Sequence, residues 1–450
     1  MGYSKNYSYL HVGDSYSGRD YVITTFYLEV KEGEDFMIIA EGVAAESSIG
    51  TWTDVAGLNQ EVFDRLSAKV FEVKRTGKNS GVVKIAYPLA LFETDNIPQI
   101  IASIAGNVFG LKEIENLRVK DVSFPDEFLK GLRGPAFGIN GIRDLFQVYD
   151  RPLIGTIIKP KLGLSTRQHA QAAYEAWIGG VDIVKDDENL SDQDFNPFYE
   201  RVTQTLEARR RAEDETGEKK LYCPNISARV GEMYARAKYV REMGGRAVMV
   251  DIITVGFSGV QFIRDQSMNL IIHGHRAMHG AFTNNDKHGI SMLTIAKFAR
   301  AAGIDQLHTG TVIGKMEGTR SEVANIHDFL KGHWGSLKPT MPIASGGLHP
   351  GHVHQLYEIM GKDVIINFGG GIHGHPDGTK AGAAAARQAV EAAVGGVSSR
   401  EYAKNHGELS RALDKWGTGT SEEILLEKDT YLYPLIVSDG LKLTKKHSSS

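Results

Sequence analysis

Charged side chains follow a short apolar stretch at residues 179–190, "GGVDIVKDDENL". Side chains two apart in a strand point to the same side, so Lys185 and Asp187 face one region, and Glu188 follows at the strand exit. Two carboxylates suit a hard cation such as Mg²⁺. Lys185 would supply a further anionic oxygen if its neutral amine added CO₂ to form a carbamate. The alternative is an ordinary lysine–aspartate ion pair at the start of a loop.

Two lysines stand close together in residues 155–165, "GTIIKPKLGLS". Lys159 and Lys161 are two residues apart at the end of a predicted strand, so both can face one pocket. Two neighbouring cations lower each other's pKa, which favours a neutral amine able to act as an acid or base. The alternatives are surface lysines or a lysine that anchors a phosphate.

Further polar groups follow later strands. Residues 273–279, "HGHRAMH", place three histidines around Arg276, whose guanidinium suits bidentate phosphate binding. Residues 308–318, "HTGTVIGKMEG", carry Gly310 and Gly314 as hinges and Lys315 at the tip, which predicts a mobile lid that brings a cation over the site. The alternative is a plain glycine-rich loop.

Glycine-rich segments at residues 345–351, "SGGLHPG", and 368–371, "FGGG", offer bare backbone N–H groups for phosphate binding. Arg276 and His308 would provide a second anion site on the other flank. A metal between two anion sites indicates metal-assisted proton abstraction next to a carbonyl on a bisphosphate sugar.

Two consecutive domains are predicted to position these groups. Residues 21–125 show a β-α-β-β-α-β pattern, which predicts a ferredoxin-like α+β domain. Beyond residue 150, apolar strands alternate with helices eight times, which predicts an α/β fold, a (β/α)₈ TIM barrel, with chemistry at the carboxyl ends of its strands. The rival is a doubly wound sheet, but no G-x-G-x-x-G follows an early strand. The predicted strands are residues 152–159, 181–186, 221–226, 247–252, 269–274, 305–309, 341–345 and 363–368.

We therefore divide the chain into three parts. Residues 1–136 form an N-terminal ferredoxin-like domain, residues 137–397 form the barrel, and residues 398–450 form a helical extension that caps the barrel and ends in a frayed tail.

The composition limits the class of protein. The net charge of −4 gives no indication of nucleic-acid binding. A single cysteine, Cys223, fits a reducing compartment. With no apolar membrane span and no export signal, a cytoplasmic protein is expected.

Together with "AAESSIGTW" (44–52) and "IAGNVFG" (104–110), these motifs resemble the large subunit of ribulose-1,5-bisphosphate carboxylase/oxygenase over nearly the whole chain. Phrases such as "GPAFGI" and "REYAKNHGELSRALDKWG" are most similar to the archaeal form III branch. The resemblance implies Mg²⁺-dependent enolisation of ribulose 1,5-bisphosphate and addition of CO₂ or O₂. It also suggests a role in AMP or nucleoside salvage.

The resemblance also implies residue roles. Lys185, as a carbamate, would bind Mg²⁺ with Asp187 and Glu188 and help to remove the C3 proton. Lys159 would protonate the C2 carbanion with Lys161 tuning it, His275 would be the second acid/base residue, and Lys315 would hold the incoming carboxylate. The substrate-binding residues implied are Glu46, Thr51, Trp52, Asn107, Lys161, Arg276, His308, Lys315, Ser345, Gly346, Gly347, Asn367, Phe368, Gly369 and Gly370.

The family further implies that Glu46, Thr51, Trp52 and Asn107 complete the site of a neighbouring subunit. A homodimer or an oligomer of dimers is then expected, with no small subunit. Two positions depart from plant-type enzymes: Ile157 replaces a threonine, and Asn367 replaces a glutamine.

Two other functions compete with carboxylation. One is a carboxylase-like enolase or tautomerase of methionine salvage that fixes no CO₂, and the other is a barrel that only binds sugar phosphates. Both are disfavoured because the chain retains the lysines, the lid and the metal carboxylates together.

Overall fold

The computed structural model describes residues 7–51, 57–313 and 319–419. Within these ranges, no helix combines the length and apolar character that a membrane crossing requires. Two sheets organise the fold, one in the N-terminal third of the chain and one in the remainder.

The N-terminal domain is a ferredoxin-like layer of helices on an antiparallel sheet, as predicted. Its four strands lie in the order β4-β1-β3-β2, and burial alternates along β1 because one sheet face packs against the helices. The elements are β1 Tyr21–Val30, α1 Phe36–Glu46, α2 Gln60–Leu66, β2 Lys69–Arg75, β3 Ser80–Pro88, α3 Ile97–Ala105 and β4 Ile114–Ser123.

Two helices, α4 Asp126–Lys130 and α5 Gly138–Phe146, lead into an eight-stranded parallel sheet. The eight predicted strands are all present. Six are shorter than predicted, Met341–Ser345 has the predicted bounds, and Gln306–Gly310 keeps the predicted length but begins one residue later. Each strand is buried along nearly its whole length, as expected for strands with helices outside and a packed interior. They are β5 Leu153–Ile157, β6 Ile183–Lys185, β7 Leu221–Cys223, β8 Ala247–Asp251, β9 Ile271–His275, β11 Gln306–Gly310, β12 Met341–Ser345 and β13 Ile365–Phe368.

The sheet closes into a barrel, which excludes the doubly wound alternative. Its strand order is β7-β6-β5-β13-β12-β11-β9-β8, and a parallel bridge between Asn225 and Met249 joins the two ends. The surrounding helices are α6 Thr166–Ile178, α7 Phe198–Thr216, α8 Val230–Glu242, α9 Ile252–Val255, α10 Phe257–Asp265, α11 Gly280–Thr283, α12 Met292–Ala302, α13 Arg320–Lys331, α14 Val353–Met360, α15 Gly370–His373 and α16 Thr379–Val394.

Local signals place the helix that precedes the charged segment. Ser165 and Gln168 form a capping box at the start of α6, and the helix ends at Gly179, before Gly180 with φ 112°. After α16, the helices α17 Ser399–Ala403 and α18 Gly407–Trp416 pack against each other and against α16.

The sequence pattern missed one link between the domains. The short strand β10, Gly289–Ile290, pairs in parallel with β4 of the N-terminal sheet. At the amino-terminal end of the barrel, Asp305 accepts hydrogen bonds from the backbone N–H groups of Phe137 (2.7 Å) and Ile272 (2.9 Å) and is ion-paired with Arg264. These contacts fasten the segment that connects the domains to the barrel floor.

Candidate active site

Lys185 ends strand β6 and is almost completely buried, with 1% of its surface exposed. Its Nζ donates a hydrogen bond to the carbonyl of Asp186 at 2.8 Å and lies 4.0 Å from Glu188 Oε2. Burial lowers the pKa of Lys185, although the carboxylates of Glu188 and Asp187 oppose the shift. The net effect is a lowered pKa, which increases the fraction of neutral amine, the form that can react with CO₂.

Asp187 and Glu188 lie beside this amine. Asp187 accepts a hydrogen bond from Lys159 Nζ at 3.0 Å and two from Asn189, through its backbone N–H (3.1 Å) and its side chain (3.0 Å). Burial by itself raises the pKa of Asp187, but these hydrogen bonds outweigh it and the pKa is lowered. The carboxylate is therefore ionised at neutral pH, as a cation ligand must be.

Asp186 points to the opposite side of the strand, as the two-residue period requires. It accepts hydrogen bonds from Tyr222 (2.7 Å), Arg201 (3.2 Å) and the backbone N–H of Asn225 (3.0 Å). Burial alone would raise its pKa, yet the Arg201 charge and the hydrogen bonds lower it. Asp186 thus holds the loop after β6 in place rather than facing the barrel mouth.

His275 ends strand β9 and contacts two carboxylates. Its Nε2 lies 3.6 Å from Glu188 Oε2, and its Nδ1 lies 2.8 Å from Asp251 Oδ1. Asp251 is the last residue of β8, and sequence reasoning overlooked it. A carboxylate at the end of a barrel strand was the available signal.

The two lysines after β5 differ in their surroundings. Lys159 is half-buried and bonded to Asp187, whereas Lys161 is exposed. A Cβ atom added to Gly369 would lie 3.4 Å from Ile157 Cγ2 and 3.5 Å from Lys159 Cε. The glycine after β13 therefore borders the Lys159 side of the mouth.

His308 links three strands of the barrel. Its Nε2 lies 2.9 Å from His273 Nε2, and its Nδ1 lies 2.8 Å from Ser345 Oγ. Arg276 is buried. Its guanidinium lies against Gly310, where an added Cβ atom would be 2.8 Å from Nη2. Gly310 has φ +88°, a conformation that glycine adopts without strain.

The two predicted phosphate loops follow neighbouring strands. Gly346 (φ 119°) and Gly347 (φ 63°) come after β12, and Gly369 and Gly370 come after β13. Ser345 pairs in register with Asn367, which is buried, and the carbonyl of the buried Phe368 accepts a hydrogen bond from Thr156 (3.1 Å).

Three of the predicted substrate residues lie in the N-terminal domain. Glu46 ends α1, Thr51 follows it, and Asn107 is exposed in the turn after α3. Among residues 7–51, 57–313 and 319–419, no hydrogen bond or ion pair joins these three to the barrel mouth. Trp52 and Lys315 lie outside the described residues.

The donor groups at the mouth fit a magnesium ion only if Lys185 contributes. In the described part of the chain, no cluster of three or more His, Cys, Asp or Glu side chains could hold a metal. Asp187 and Glu188 supply two carboxylates, and the amine of Lys185 lies beside Glu188. A carbamate on that amine would complete an all-oxygen ligand set, the kind Mg²⁺ prefers.

Known proteins similar to the chain agree on one family. Residues 138–416 match the family model "Ribulose bisphosphate carboxylase large chain, catalytic domain", and residues 11–128 match the corresponding "N-terminal domain" model. The ribulose bisphosphate carboxylase of Methanocaldococcus jannaschii is 49% identical over 405 residues, which are 86% of this chain and 95% of that protein.

Solved structures give the same result. An octameric ribulose-1,5-bisphosphate carboxylase/oxygenase from Pyrococcus horikoshii OT3, in complex with sulfate ion, superposes with a TM-score of 0.88 at 45% identity, covering 92% of this chain and 97% of that one. A dimeric archaeal Rubisco from Hyperthermus butylicus gives a TM-score of 0.86 at 43% identity, covering 91% and 99% of the two chains.

Proposed function

Because the chain belongs to the ribulose bisphosphate carboxylase large-chain family, we propose that the cluster around Lys185 is its catalytic centre, loaded with Mg²⁺ and a CO₂-derived carbamate. The activity is the carboxylation of ribulose 1,5-bisphosphate, which yields two molecules of 3-phosphoglycerate. The archaeal relatives support the archaeal type predicted from the motifs.

One observation carries the site assignment: Lys185 is a buried amine beside two carboxylates at the end of a barrel strand. Its lowered pKa increases the fraction of the neutral amine, which would add CO₂ with formation of an N–C bond and loss of one proton. Lys185, Asp187 and Glu188 would then hold Mg²⁺. When bound, the ion supplies charge stabilisation for the oxygens of the substrate.

The residues of the chain move protons around this centre. As a carbamate, Lys185 would provide the oxygen that accepts the C3 proton and so starts enolisation. Lys159, held beside Asp187, donates a proton to C2 late in turnover, and Lys161 tunes it. His275 is the second acid/base group, and Asp251 orients it by bonding Nδ1, so that Nε2 faces Glu188.

Two flanks of the mouth bind the phosphates. One phosphate lies against the backbone of Gly346, Gly347, Gly369 and Gly370, whose lack of side chains permits close approach. Arg276 carries the charge for the other phosphate, with His308 beside it and Ser345, Asn367 and Phe368 lining the mouth between the flanks. The lid residue Lys315 would hold the incoming carboxylate.

A second subunit completes each site. Glu46, Thr51, Trp52 and Asn107 would reach the mouth of a partner. In support, no hydrogen bond or ion pair within the described chain joins Glu46, Thr51 or Asn107 to the mouth of their own barrel. The similar structures are themselves a dimer and an octamer. We propose a homodimer as the catalytic unit, without a small subunit, and higher oligomers of that dimer.

The wider setting follows from the same resemblance. We propose that the enzyme acts in the cytoplasm and uses ribulose bisphosphate derived from AMP or nucleosides. The division into residues 1–136, 137–397 and 398–450 is kept as a proposal, supported by the separate N-terminal and barrel sheets.

Incubation with ribulose bisphosphate, Mg²⁺ and labelled bicarbonate tests the function. We expect acid-stable label in 3-phosphoglycerate, and exchange of the C3 proton without any label would indicate an enolase of the carboxylase-like class instead. Lys315→Ala should retain the exchange of the C3 proton and lose carboxylation. An equal loss of both activities would contradict the role of the lid lysine.

A further inference from the structure

Four hydrogen-bonded side chains run through the barrel interior beside the site. Gln306 Oε1 lies 2.9 Å from His273 Nδ1, His273 Nε2 lies 2.9 Å from His308 Nε2, and His308 Nδ1 lies 2.8 Å from Ser345 Oγ. The four residues belong to the adjacent strands β9, β11 and β12, and Gln306 pairs in register with His273.

Packing alone does not explain this chain of polar groups. The interior of a TIM barrel is usually filled by branched apolar side chains, and a buried polar group destabilises the fold unless it is bonded. Gln306 is completely buried, and its Nε2 has no hydrogen-bond partner among the described residues. Such a local departure from good packing is typical of a functional position.

The amide of Gln306 sets a direction for the whole chain. Burial lowers the pKa of His273 to about 3 and that of His308 well below its ordinary value, so both rings are neutral with one N–H each. An amide oxygen only accepts, so the proton of His273 lies on Nδ1 and its Nε2 accepts from His308. The Nδ1 of His308 is then an acceptor, and the Ser345 hydroxyl must donate to it.

We propose that Gln306 is a positioning residue that, through His273 and His308, orients the Ser345 hydroxyl so that its oxygen accepts a hydrogen bond from a hydroxyl group of the sugar bisphosphate. This inference rests on the proposed function, because it places Ser345 at the substrate. Without the Gln306 amide both histidines can exchange tautomers. Ser345 then accepts from the substrate in only part of the molecules.

Neutron diffraction from crystals of the deuterated wild-type enzyme tests the direction of the chain. We expect deuterons on Nδ1 of His273, on Nε2 of His308 and on Ser345 Oγ, the last directed at His308. The opposite tautomers, with a deuteron on Nδ1 of His308, would overturn the proposal. This measurement needs no variant and does not depend on the enzyme's activity.

Kinetics test the consequence for the substrate. Gln306→Met keeps the shape of the side chain and removes the amide, and we expect the KM for ribulose bisphosphate to rise about tenfold with little change in kcat, since the lost interaction is made in both ground and transition states. A lower kcat at unchanged KM would mean that the variant only loses folded enzyme, and it would refute the positioning role.

Thr309→Val is the matched control. Thr309 lies on the same strand but faces outward, where its Oγ1 lies 2.6 Å from His327 Nε2 and donates a hydrogen bond to the carbonyl of Ile343 at 3.1 Å. The variant therefore removes two buried hydrogen bonds from the same strand. We expect its KM to stay at the wild-type value. A failure of the proposed function is distinct from these outcomes, because the wild-type enzyme would then fix no labelled bicarbonate at all.

Discussion

Replacing Lys185 with methionine separates catalysis from stability. The substitution keeps the length of the side chain and removes the amine that is proposed to carry the carbamate. We expect carboxylation to fall by at least about 10⁴-fold, because the proposed general base and a proposed ligand of the metal are lost together. Binding of labelled CO₂ to the protein in the presence of Mg²⁺ should be lost as well.

The fold should tolerate this change. Methionine loses one hydrogen bond to the carbonyl of Asp186, worth about 1 kcal/mol, but it also removes an amine that burial destabilises. The two effects oppose each other, so we expect the free energy of unfolding in urea to change by no more than about 2 kcal/mol.

Lys220→Met provides the matched control at the other end of the barrel. Lys220 is also fully buried, and it donates hydrogen bonds to the carbonyl of Val181 (3.0 Å) and to Glu218 (2.7 Å). Its loss should cost about 2 kcal/mol of stability and leave the kcat of the folded enzyme unchanged. Carboxylation by Lys185→Met within about tenfold of wild type would refute the reasoning.

Three further outcomes are expected. Lys159→Met should lower turnover about 10³-fold in the labelled-bicarbonate assay with unchanged circular dichroism, and activity within tenfold of wild type would contradict its role as proton donor. Asp305→Asn leaves the buried Arg264 without its partner charge, so urea unfolding should show a loss of about 3–5 kcal/mol, whereas an unchanged midpoint would disprove this estimate of the pair. Asp186 has a lowered folded-state pKa, so its stabilising contribution is complete above its ordinary value of 3.8 and is lost as the pH falls towards the folded-state pKa. The stability difference between wild type and Asp186→Asn should therefore shrink in acid denaturation below pH 3.8 and would be constant if this assignment were wrong.

Local patterns in the sequence predicted the barrel strands and the elements of the N-terminal domain. The eight barrel strands and the β-α-β-β-α-β domain were predicted because hydrophobic periodicity and turn residues act over short distances. The same two-residue period places Lys185 and Asp187 on one side of the strand and Asp186 on the other. The motifs that follow the strands identified the protein family that the chain resembles.

Only the tertiary structure decided which distant residues meet. The sequence gives no sign that Asp251 bonds His275 or that Gln306 bonds His273, because these contacts depend on which strands become neighbours and in what register. The pairing of β10 with β4, which the sequence pattern missed, is likewise set by long-range packing. Short-range periodicity determines the faces of a strand, and the fold determines what each face touches.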